Sequence, residues 1–134
     1  MRVLLADGDP DVRGALRLVL THDLGMQVIG EPADATNLRA QVLGLRPDLL
    51  LLDWALVGDA AADTIAGLRA LAPGLRIVIL CAHPETRPQA FAAGADAFVS
   101  KTEAPAQLLA TLRALPGHGP ARCADDTTGG REAT

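Results

Sequence analysis

The chain has 134 residues, a mass of 13.9 kDa, a formal net charge of −4 and a hydrophobic content of 49%, with no tyrosine and two cysteines. That length suits one domain with a sizeable core, and a sequence pI near 5.2 argues against the basic footprint of a nucleic-acid binder. The N-terminus carries no charged-then-apolar leader and no apolar run reaches membrane-spanning length, so a soluble cytoplasmic protein is expected.

Apolar strands and amphipathic helices alternate five times. Arg2 to Ala6 reads as the first strand and breaks at Asp7-Gly8-Asp9-Pro10, where Asp9 can cap a helix and Pro10 fits its first turn. Val12, Ala15, Leu16, Val19 and Leu20 share one face of that helix. Met26 to Glu31 is the second strand, and Leu38, Val42 and Leu45 mark a second helix that stops before Arg46-Pro47. Asp48 to Leu52 is the third strand, whose unbroken leucines predict burial on both faces and a central place in a parallel sheet. Trp54 to Asp59 reads as a loop before a third helix with Ile65, Leu68 and Ala72, ended by Pro73-Gly74. Arg76 to Leu80 is the fourth strand, followed by a short helix over roughly Thr86 to Ala93 with Gly94 as its cap. Ala97 to Ser100 forms the fifth strand, and Pro105 opens a last helix with Leu108, Leu109, Leu112 and Leu115. From Pro116 the chain is polar and Gly-rich, which predicts a domain over 1–115 and a flexible polar tail over 116–134. Alternating strands and helices imply right-handed crossovers and an α/β fold with both sheet faces covered.

Three charges end apolar strands: Asp7, Asp53 and Lys101. In an open parallel sheet the carboxyl ends of the strands line the ligand crevice, so two carboxylates there suggest a cation site shared with one nucleophile. Lys101 supplies a cation suited to an anionic group such as phosphate. The cysteines, Cys81 in an apolar strand and Cys123 near the C-terminus, are far apart in sequence and make no disulfide framework. With His83 and His118 they match no usual zinc spacing.

These strand ends, taken in order, resemble the response regulator receiver domain, the phosphoacceptor module of two-component phosphorelay signal transduction, over residues 1–115. The resemblance implies a flavodoxin-like (βα)5 doubly wound parallel five-stranded sheet of strand order 2-1-3-4-5. It assigns Asp53 as the phosphoacceptor that forms an aspartyl phosphate, Asp7 as a magnesium ligand beside Asp53, and Lys101, with Lys-Thr-Glu-Ala-Pro after Phe-Val-Ser, as the fixed cation. Ala55 would offer its backbone carbonyl to the metal. Phe98 stands where the family has an aromatic that swings inward on phosphorylation, with plain core packing as the alternative. Three positions depart from the pattern. Gly8 replaces the second of two adjacent acids, with Asp9 one residue late and better read as the helix cap; Cys81 takes the usual Thr or Ser position; and Val57 stands where Pro is common. Magnesium binding is therefore expected to be weak.

The leading expectation is a stand-alone receiver, not an enzyme beyond slow self-catalysed phosphoryl transfer and autodephosphorylation. It would take phosphate from a histidine kinase or phosphotransfer protein and present the face of helix four, strand five and helix five to a downstream protein, without direct nucleic-acid contact or membrane insertion. A phosphorylation-independent pseudo-receiver is the alternative. A haloacid-dehalogenase-like phosphatase, suggested by Asp7-Gly8-Asp9, ranks last, because only a helix and a tail follow Lys101.

Overall fold

The computed structural model describes residues 1–102 and 105–115. Five parallel strands, β1 (Arg2–Ala6), β2 (Gln27–Gly30), β3 (Leu49–Asp53), β4 (Arg76–Cys81) and β5 (Ala97–Ser100), form one sheet in the order β2-β1-β3-β4-β5. This is the strand order that the resemblance implied. The central place of β3 follows from its sequence: all five residues, LLLLD, are buried, as a strand covered on both faces requires. Its side chains alternate, Leu50 and Leu52 entering the core on one face and Leu49 and Leu51 the core on the other.

The first of these cores is closed by α2 (Leu38–Leu45) through Leu38 and Val42, by α3 (Ala61–Leu71) through Ile65 and Leu68, and by Ala90 of α4 (Arg87–Ala92). The second is closed by α1 (Pro10–Leu18), through the partly buried Leu16, and by α5 (Pro105–Ala114), through Leu108 and Leu112. A π turn over Val19–Asp23 continues α1 and places Leu20 in this core, and the Met26 N–H bonds back to the Leu20 carbonyl before β2 begins.

Local chemistry sets the ends of the helices. Asp9 caps α1, its side chain accepting from the Asp11 N–H, with Pro10 in the first turn. After α4, Gly94 at φ 110° closes the end, and the Ala95 N–H reaches back to the Ala90 carbonyl at 3.1 Å.

The structure corrects several boundaries, and β3 runs one residue later than expected at both ends, from Leu49 to Asp53 instead of Asp48 to Leu52. The expected loop from Trp54 to Asp59 is helical, a turn over Trp54–Val57 followed by a 3-10 turn over Gly58–Ala60, because the Asp53 side chain caps it by accepting from the Ala55 N–H. β2 is shorter than expected, Gln27–Gly30: the Met26 N–H is taken by the Leu20 carbonyl at one end, and Pro32, beyond Glu31, has no N–H to offer at the other. β4 extends one residue further, to Cys81. The fourth helix opens as a 3-10 turn over Pro84–Thr86 and becomes α4 only at Arg87, with Pro88 tolerated in the first turn. The expected tail, with His118 and Cys123, lies outside the described residues, as does Glu103.

Candidate functional site

Ala6 lies opposite Leu52 in the β1–β3 register, so Asp7 and Asp53 leave the sheet at the same level. On the other side of β3, Cys81 lies opposite Ser100, and Lys101 follows at once. The three strand-terminal charges therefore meet at one sheet edge, as expected. The Lys101 Nζ stands 2.6 Å from Asp7 Oδ2 and 3.1 Å from Asp53 Oδ2.

Both carboxylates divide their oxygens in the same way. Asp7 Oδ1 accepts from the Asp9 N–H at 2.9 Å and Asp53 Oδ1 from the Ala55 N–H at 3.2 Å, so each acid holds the first turn of its own loop. The Oδ2 atoms face the ammonium. Asp7 is fully buried, and among the described residues its Oδ2 makes no hydrogen bond besides this ion pair. A buried, ionised carboxylate is costly without a partner, and Lys101 is that partner. Partial burial by itself lowers the Lys101 pKa; the hydrogen-bonded and Coulombic attraction of Asp7 and Asp53 outweighs it, and the pKa rises above its ordinary value.

Lys101 is held from its backbone outward. Its N–H donates to the Cys81 carbonyl at 2.8 Å, and the flanking hydroxyls of Ser100 and Thr102 lie 2.7 Å apart. Cys81 is buried, and its Sγ accepts from the His83 N–H at 3.4 Å. Phe98 is buried in the core on the α2–α4 face. Asp9 is exposed and engaged as the α1 cap, which is the role preferred for it in the sequence. Ala55 is exposed on the capped turn, and Trp54 packs partly against the core.

Two residues of the site were not singled out in the sequence. Arg13 Nη1 donates to the Asp7 carbonyl at 2.6 Å while its Nε stands 3.9 Å from Glu31, tying the β1–α1 loop to β2's end. A cation one turn into a helix that follows a site loop is the signal that points to it. Arg87 lies over the Phe98 ring, its guanidinium carbon 5.8 Å from the ring centroid; no spacing in the sequence announces a contact between α4 and β5.

Among the described residues, no group of three or more His, Cys, Asp or Glu side chains could hold a metal ion, and no helix is long and apolar enough to cross a membrane.

Comparison with known proteins agrees with this arrangement. The response regulator receiver domain family matches residues 3–113. The chain is similar to the transcriptional activator protein ExaE of Pseudomonas putida, 35% identical over 121 residues that make up 88% of this chain and 56% of that protein. It is also similar to the DNA-binding response regulator MtrA of Mycolicibacterium smegmatis, 37% identical over 116 residues, 84% of this chain and 49% of that one. The chain thus spans about half the length of these curated relatives. Among solved structures, a LuxR-family two-component response regulator from Aurantimonas sp. SI85-9A1 superposes with a TM-score of 0.75 at 30% identity, covering 84% of this chain and 82% of that one. The isolated receiver domain of RcsB from Salmonella enterica serovar Typhimurium, solved in the presence of the phosphomimetic BeF3−, gives a TM-score of 0.74 at 27% identity, covering 85% of this chain and 86% of that one.

Proposed function

Because the chain belongs to the response regulator receiver domain family of two-component signalling, we propose that Asp53 accepts a phosphoryl group from the phosphohistidine of a kinase or phosphotransfer protein. An Asp53 carboxylate oxygen forms the new bond to phosphorus while the donor's P–N bond breaks and its electron pair leaves with the imidazole. The observation that carries this reading is the Lys101 ammonium within 3.1 Å of both carboxylates: a fixed cation offsets the repulsion between an anionic nucleophile and an anionic phosphoryl group. Cys81, at the end of β4, offers a thiol as a weak donor toward a phosphoryl oxygen.

The family also implies magnesium. The donors present are hard oxygens: Asp7 Oδ2, buried with only an ion pair to satisfy it, Asp53 Oδ2, and the Ala55 carbonyl two residues on. Such a set suits an ion that binds through one or two carboxylates and completes its shell with water and substrate, so these residues would hold magnesium, and weakly, with Gly8 in place of a further acid. When bound, the ion supplies charge neutralisation for the phosphoryl oxygens.

The surface of α4, β5 and α5 is the proposed output face, toward a downstream protein in the cytoplasm. The relatives' names carry transcriptional activation and DNA binding; for this domain we propose regulation by protein contact, with no DNA contact of its own, its chain being net acidic. Nothing supports the phosphatase reading, since among the described residues no strand follows β5.

Acetyl phosphate with magnesium should give the wild type a slowly formed, acid-stable, base-labile adduct that Asp53→Asn does not form. Lys101→Ala should keep the adduct and blunt the change in partner binding. Two residues favour the pseudo-receiver as the second reading: Gly8 stands where the family has a second acid, and Cys81 where it has Thr or Ser. No adduct at high donor and magnesium, with a partner binding wild type and Asp53→Asn equally, would decide for it.

A further inference from the structure

The chain contains two phenylalanines and no tyrosine, and both phenylalanine rings lie against one guanidinium. Arg87, the first residue of α4, has its guanidinium carbon 5.5 Å from the centroid of Phe91 and 5.8 Å from that of Phe98. Both distances fall within cation–π range. Phe91 is one helical turn on, the spacing at which side chains of one helix face meet, and it is 41% exposed. Phe98 comes from β5 and is only 3% exposed, packed in the core that also contains Cys81 and Ala90. Arg87 itself is exposed. A single surface cation thus touches one aromatic that solvent or a partner can reach and one that they cannot.

We propose that Arg87 is a positioning residue for Phe98: stacked over the buried ring, it favours the inward position. This deepens the reading of Phe98 as the aromatic of the output face, and rests on that reading for its use in signalling; the hold of Arg87 on the ring belongs to the unphosphorylated protein. The thiol of Cys81 is a weak hydrogen-bond donor, and among the described residues β5 is an edge strand paired to β4 alone. An aromatic on such a strand gains from a second restraint, and a cation with a planar face is well suited to give it. At a partly exposed site such a contact biases an equilibrium by roughly two- to fivefold.

Fluorophenylalanine labelling gives two 19F resonances, assigned by Phe91→Leu, and the H2O-to-D2O shift of each reports its exposure. In Arg87→Met, which keeps the length and removes the charge, the solvent-sensitive fraction of the Phe98 resonance should rise by roughly two- to fivefold, while Arg87→Lys falls between Met and wild type. Unfolding midpoints of the three proteins, being close, would show the fold intact. A Phe98 resonance unchanged in Arg87→Met, or a lysine variant indistinguishable from the methionine variant, would overturn the proposal. Because no phosphodonor is present, failure here leaves the Asp53 adduct experiment untouched, and failure of that experiment leaves this one untouched.

Discussion

Gly8→Asp tests the reading of the acidic edge most directly. The backbone at Gly8 accommodates a side chain: a Cβ there would lie 3.5 Å from the Ala33 carbonyl oxygen and 3.6 Å from Leu56 Cδ2, ordinary van der Waals distances. A third carboxylate among Asp7, Asp53 and Lys101 adds two repulsions and one attraction. At separations of about 4 Å each is worth roughly 1 kcal/mol in water and roughly 4 kcal/mol at an effective dielectric of 20. The metal-free variant should therefore lose about one such interaction, on the order of 1–4 kcal/mol. Toward a dication the new charge acts twofold, and a tenfold tightening needs only about 1.4 kcal/mol of that attraction. Trp54, the chain's one tryptophan, directly follows Asp53 and reports on the site. Titration of its fluorescence should show magnesium bound at least tenfold more tightly by Gly8→Asp, with a lower urea midpoint in the absence of metal that magnesium restores by linkage. Superimposable titrations, or a metal-free variant as stable as the wild type, would refute the assignment of position 8 to the metal edge.

Lys101→Met should destabilise the metal-free protein by about 3 kcal/mol at pH 7, because it strands Asp7 as a buried charge. The carboxylates raise the lysine pKa in the folded state, so its contribution is complete below the ordinary lysine value of about 10.4 and fades as pH climbs through the raised folded value. Denaturation from pH 7 to 12 should show that alkaline loss in the wild type and not in the variant. Gly94→Ala should cost about 1–3 kcal/mol in urea midpoint at unchanged m, since φ at 94 is 110° and the new methyl would stand 3.1 Å from Ile65 Cγ2.

Much of this architecture is legible in the sequence where one signal dominates. The leucine run of β3 has no reading but a doubly buried strand, and Asp9-Pro10 announces the start of α1 by capping chemistry alone. The charges at 7, 53 and 101 could be placed together because strand ends of a parallel sheet share an edge. Legibility fails where one side chain serves two ends. Asp53 is legible as a site residue but is also a helix cap, one oxygen holding the turn at Ala55 and the other facing Lys101. The helical turn after it was missed for that reason: Trp-Ala-Leu-Val carries no cap of its own. The π turn after α1 shifts the register within an otherwise regular apolar pattern, which periodicity cannot reveal. Arg46 occupies the left-handed C-cap of α2 at φ 53°, where glycine would have been the legible choice. The contacts of Arg13 and Arg87 depend on packing between elements distant in sequence.

The order of the strands separates the site into parts that open at different rates. β3 is paired on both sides and buried throughout, and β1 lies beside it, so their amides should exchange with solvent only when the whole domain opens. Among the described residues β5 has a neighbour on one side alone, and it carries Phe98 and leads into Lys101. The two carboxylates are thus mounted on the slowest-exchanging part of the molecule and their counter-charge on a strand able to detach in a smaller, cheaper opening.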